Sequence, residues 1–194
     1  MTNEHFGKTE QLKAVMFSIQ PKYCVLIANG KKTVEVRKTR PQIPTPFKCY
    51  IYCTRAKEFI SISSRMYAAF DELYRLPTGE IKFGDSFELA ADYPDEYDEN
   101  NFYNGKVIGE FICDEIAELS AYSDNKRCAE LFESTCLTVE DICNYGDGKT
   151  LYFLHISDFK IYYKPKLIRE FHRNGKPLTR APQSWFYVEA LSND

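Results

Sequence analysis

The chain has 194 residues, 44% of them hydrophobic, enough to bury one domain core without disulfide or metal staples. Its net charge of −3 and pI near 5.7 exclude a protein that attracts polyanions over its whole surface, so any contact with nucleic acid has to be local. The aromatic residues are 14 Tyr and 14 Phe against one Trp, a mixture suited to strands and half-wetted surfaces.

Seven cysteines, at 24, 49, 53, 113, 128, 136 and 143, include no Cys-x-x-Cys pair. An odd count without a signal peptide implies reduced thiols and a cytoplasmic protein. Cys49 and Cys53 share one face of an extended strand about 13 Å apart, too far for one disulfide or one metal, and read as core thiols. Neither a metal nor a cofactor is expected. The N-terminus is polar, and no apolar run approaches the ~20 residues of a membrane span.

Residues 1–12 read as a flexible lead-in, with a single domain over 13–194. Residues 14–19 form a first strand. Pro21 fits the first turn of a helix, and Tyr23, Leu26 and Ile27 recur at helical spacing until Gly30 supplies a left-handed stop. From Thr33 the period becomes two, so Val34 and Val36 point one way while Thr33, Glu35 and Arg37 point the other. Lys31, Lys32, Arg37, Lys38 and Arg40 thus place five cations within ten residues around the single anion Glu35.

Three prolines, at 41, 44 and 46, then impose a surface loop. Phe47 to Thr54 alternates as a strand, with Phe47, Cys49, Ile51 and Cys53 inward and Tyr50 and Tyr52 outward or towards a partner layer. Met66, Phe70 and Leu73 give a helix inside residues 55–79, read as an insertion, and residues 86–90 a strand. An acidic loop, 92–101, forms a second insertion. Asn104-Gly105 turns the chain into a strand over 106–113. Helices occupy the stretch between Ser123 and Tyr145, the second opened by a Thr138–Asp141 capping pair and ended by Gly146. Strands follow at 151–156 and 159–163, split near Asp158, and a last strand runs over 184–190. From Lys160 to Arg180 seven cations face Glu170 alone, either a solvated loop or a local polyanion contact. Strands joined by hairpins and short helices favour an α+β fold, a mixed and mostly antiparallel β-barrel with peripheral helices and a helical insertion.

The stretches SIQPKYCVLIANGKKTVEVRKTRP, GKVIGEF and PLTRAPQSWFYVE resemble, in this order, the ASCH domain of the PUA-like superfamily. Its Gly-x-Lys-x-x-Glu-x-Arg signature corresponds to Gly30, Lys32, Glu35 and Arg37. The resemblance implies a small twisted barrel with a cleft beside the signature corner, and RNA or a nucleoside as ligand. Some small bacterial members are N4-acetylcytidine amidohydrolases that use a lysine and a threonine of this element. Their lysine corresponds to Lys32, and the position of their threonine holds Glu35 here.

The expected ligand site comprises Lys32, Thr33, Glu35, Arg37, Lys38 and Arg40, with Gln183, Ser184, Trp185 and Tyr187 from the last strand. Cations would meet phosphates, and Trp185, Tyr187, Tyr50 and Tyr52 would stack on bases. The bland alternatives are a Glu35–Arg37 surface salt bridge, worth about 0–1 kcal/mol, and a Trp185 that closes the core. An RNA- or nucleoside-binding module is the first reading. A hydrolase acting on RNA or a modified nucleoside, with Lys32 and Glu35 as catalytic groups, is the second.

Overall fold

The structure, a computed structural model, describes residues 13–56, 59–63, 86–90, 103–120 and 126–191. The stretches read as a lead-in (1–12) and an acidic loop (92–101), and all but the first residue of the one read as a helix (63–76), lie outside the described residues.

A five-stranded sheet is built from β1 (Lys13–Ile19), β3 (Phe47–Cys53), β6 (Val107–Cys113), β9 (Ser157–Lys166) and β12 (Trp185–Glu189), in the order β12-β1-β3-β6-β9. Only its β1–β3 pair is parallel. A parallel pair needs a crossover, and here α1 (Pro21–Ala28) and β2 (Val34–Arg37) supply it. The second sheet, β2-β8-β7, joins β2 to β8 (Thr150–His155) and β7 (Ile116–Ser120), antiparallel throughout.

Apolar residues on both faces of β1 explain why it is central. Val15, Phe17 and Ile19 enter a core with Cys24, Cys49, Ile51, Cys53 and Phe111, whereas Ala14 and Met16 face Tyr50, Phe171, Leu178 and Val188. The third cluster lies between the smaller sheet and two helices, α2 (Lys126–Ser134) and α3 (Val139–Gly146), and holds Val34, Val36, Phe132, Ile142 and Phe153. Cys49 and Cys53 are core thiols as expected.

The mixed, mostly antiparallel character and the helices agree with the expected α+β class, but no ladder among the described residues closes the sheets into a barrel. Within the segment read as a helical insertion, residues 59–63 form a strand, β4 (Phe59–Ser63), which pairs with β5 (Ser86–Ala90). The alternating FISIS segment fits a strand better than a helical period. β7 was not foreseen; its five residues follow β6 after only Asp114 and Glu115.

Turn chemistry is as the sequence requires. Gly30 sits at φ +68° and its N–H bonds to the Ile27 carbonyl at 2.9 Å, closing α1. The Thr138–Asp141 capping box opens α3. The left-handed residue after α3 is Asp147, at φ 50°, and Gly146 is the helix's last residue. At Gly109 a Cβ would stand 2.3 Å from the Lys160 carbonyl oxygen, so β6 and β9 approach where only glycine fits. The remaining elements, a 3₁₀ turn (Ile168–Glu170) and the ribbon of β10 (His172–Arg173) and β11 (Lys176–Pro177), lay Phe171 and Leu178 on the outer face of the large sheet. Among the described residues no helix is long and apolar enough to cross a membrane.

Candidate functional site

Where α1 hands over to β2, the chain buries three charges in sequence. Lys32 is 2% exposed, Glu35 7% and Arg37 8%. The Lys32 ammonium donates to the Val34 carbonyl at 2.8 Å and the Thr135 carbonyl at 2.9 Å, and lies 3.3 Å from Glu35 Oε2. Thr135 follows the last residue of α2, where unpaired helix carbonyls concentrate negative partial charge. Glu35 Oε1 meets Arg37 Nη2 at 2.9 Å. Arg37 also donates to the Ser18 carbonyl at 2.8 Å and to Ser184 Oγ at 3.3 Å.

Two cations and one carboxylate would be costly to bury without such partners, and aromatic faces add to them. Lys32 Nζ is 5.5 Å from the Tyr23 ring centre, and the Arg37 guanidinium 5.4 Å from that of Phe17. The pair expected at a surface is therefore part of an internal chain of charges. Its components have little donor capacity to spare: all three ammonium protons of Lys32 have an acceptor, and both Glu35 oxygens face a cation. The buried Arg37 Nε has no hydrogen-bond partner among the described residues.

A cavity of about 510 Å³ opens onto this chain. Lys32, Glu35 and Arg37 line it together with Ser18, Ile19 and Gln20 at the end of β1, Thr54 after β3, and Gln183. Its side walls are aromatic: Tyr23 from α1 and Tyr145 from α3, the latter with Leu137 and Asp141 beside it. Asp141 and Tyr145 are four apart, on one helical face. Burial pushes the Tyr145 phenol up, against the pull of Arg37, so at neutral pH it is a protonated hydroxyl. In the core, burial and then the neighbouring Cys53 push the Cys24 thiol well up, which marks it as a packing group.

The other expected site residues fall in different places. Thr33 precedes β2 and lines a second cavity, of about 630 Å³, with Val34, Ile116, Cys128 and His155. It is not among the residues lining the cavity that Glu35 and Arg37 share. Lys38 is exposed, with Nζ 4.9 Å from the Tyr145 ring centre, and Arg40 lies 5.8 Å from that of Tyr152. Ser184 reaches the site through Arg37. Trp185 does not line the cavity: its Nε1–H donates to Thr39 Oγ1 at 3.0 Å and its ring packs on the core. Tyr187 stacks edge-on against Trp185 and accepts the Gln42 N–H at 2.6 Å.

Tyr50 and Tyr52 pack on the far side of the large sheet. Burial raises the Tyr50 hydroxyl to about 12, and it accepts the Leu191 N–H at 2.8 Å. Neither tyrosine is a stacking platform for this cavity. Tyr23, Tyr145, Asp141 and Thr54 were missed, and only the i, i+4 spacing of Asp141 and Tyr145 marked a common face. Among the described residues no group of three or more His, Cys, Asp or Glu is placed to hold a metal.

The architecture is that of the ASCH fold, an α+β arrangement. A crystal structure of a serine-to-alanine mutant of ZmASCH from Zymomonas mobilis superposes with a TM-score of 0.55 at 17% identity, covering 92% of this chain and 90% of that one. A tyrosine-to-phenylalanine mutant of the same protein gives 0.53 at 16%, covering 91% and 90%. No protein-family model and no curated protein matches the sequence.

Proposed function

We propose that the protein is an ASCH-type module that binds RNA or a nucleoside, holding one base in the cavity above Glu35 and Arg37. The observation that carries this is the cavity of about 510 Å³ that the Arg37 guanidinium lines together with the Tyr23 and Tyr145 rings and Gln183. A guanidinium in such a wall favours an acceptor on a ligand, such as a base carbonyl or a phosphate oxygen. Tyr23 and Tyr145 supply flat walls, and Gln183 and Thr54 supply further hydrogen bonds that select a base edge. Glu35 and Lys32 hold Arg37 in place. Their saturation by one another favours binding over hydrolysis of RNA or of an N4-acetylcytidine-like amide, because a catalytic Lys32 or Glu35 first has to leave its partners.

Calorimetric titration with nucleosides and short single-stranded RNA tests this. Tyr145→Ala removes one stacking wall, worth about 1–3 kcal/mol, and should weaken binding by about fivefold or more without unfolding the chain. Arg37→Gln should weaken it further. Unchanged affinity in both variants refutes the assignment, and turnover of RNA or acetylated cytidine that Lys32→Ala abolishes replaces binding by catalysis.

A further inference from the structure

The segment from Lys164 to Arg180 is not used by the cavity, yet it carries six cations against one acid in a chain whose overall charge is −3. Its apolar side is accounted for: Phe171 and Leu178 are buried against the large sheet, with the Leu178 N–H bonded to the Phe171 carbonyl at 2.8 Å. Its charged side is outward. Lys164, Arg169, Arg173, Lys176 and Arg180 are exposed, and none of them has a carboxylate partner among the described residues. The single acid, Glu170, is held by the Leu167 N–H. Like charges crowded on a covering segment repel one another.

The segment lies along the outer face of β12, and its C-terminal end then turns to the cavity. Arg173 lies over Phe186 of β12, with its guanidinium 5.5 Å from the ring centre, and Gly175 at the ribbon tip donates to Glu189 at the other end of that strand. Arg180 is three residues before Gln183, so its Cα is within about 11 Å of the cavity wall. Pro182, next to Gln183, is fixed by the Ser18 hydroxyl at 2.6 Å.

We propose that Arg173, Lys176 and Arg180 form a phosphate-binding ridge that runs up to the cavity, so that the ligand is a single-stranded nucleic acid with one base in the cavity and its backbone along the ridge. This rests on the reading of the cavity as a base site. A row of cations ending at a one-base hollow fits a strand; a flat anionic bilayer would meet the ribbon and leave the hollow empty.

The full chain is titrated with a labelled single-stranded oligoribonucleotide across a salt series, with cytidine and adenosine monophosphate, and with phosphatidylserine-containing vesicles. For the Arg173→Gln/Lys176→Gln/Arg180→Gln variant, oligonucleotide affinity should fall about tenfold or more, and the log–log salt slope should flatten by about 2, while mononucleotide affinity stays the same. The Lys176→Gln/Arg180→Gln pair spares the contact with Phe186 and should flatten the slope by about 1.4. Identical oligonucleotide affinity and slope in the parent and both variants overturn the ridge and leave the cavity reading intact. Vesicle binding that the substitutions abolish, with no oligonucleotide bound by the parent, overturns it in favour of a membrane. If instead the substitutions remove oligonucleotide binding while mononucleotides never bind and Tyr145→Ala changes nothing, the cavity reading falls and the ridge stands alone.

Discussion

At Glu35 two effects compete. A surface ion pair would be worth about 0–1 kcal/mol, but Glu35 is 7% exposed and lies between two cations that are equally buried. Removing the anion leaves Lys32 and Arg37 facing each other without compensation, so Glu35→Ala should destabilise the chain by about 3–5 kcal/mol, read from the urea midpoint at unchanged slope. A loss below about 1 kcal/mol would mean that water reaches these charges. The sequence put Lys32, Glu35 and Arg37 at one place, because helix stop and strand start are local signals. It did not reveal their burial, since the Thr135 and Ser18 carbonyls that receive the two cations come from distant segments. Thr33 was assigned to the same face by strict alternation, but it lies before the first residue of β2 and lines the other cavity.

At the scale of elements, α3 is the part of the site that alternation and motifs did not reach. Its existence was legible in the capping pair, but its position against β2 depends on Val34, Val36 and Ile142 meeting in one cluster. The cap gives α3 a pH dependence. The Asp141 carboxyl is held below its usual range, first by the Thr138 hydroxyl and then by the Thr138 backbone N–H. The folded value lies below the unfolded one, so the contribution is complete above about pH 4 and is lost as pH falls through the depressed value. Urea midpoints measured down an acid series should therefore fall less steeply for Asp141→Asn than for the parent in that window. Parallel curves would show that the cap is not formed in solution. Because Asp141 and Tyr145 share a face, a frayed α3 also removes one wall of the cavity.

For the molecule as a whole, the sites of greatest and least protection follow from how the layers are stacked. β1 and β3 are covered on both faces, by the core with Phe17 and Ile51 on one side and by Met16, Tyr50 and Phe171 on the other. The β10–β11 ribbon has two residues in each strand, nearly all exposed. Amide hydrogen exchange should thus be slowest in β1 and β3, intermediate in β2 and α3, and fastest in the ribbon. The cavity draws its walls from different layers: the ends of β1 and β3, α1, β2 and α3. A ligand that fills it ties the helical layer to the large sheet, and by mass action any ligand specific for the folded state raises stability. Saturating RNA should slow exchange at Leu137–Tyr145 and around Arg37 while leaving the already slow β3 amides unchanged. Slowing confined to the ribbon, with α3 untouched, would place the nucleic acid on the basic segment and leave the cavity empty.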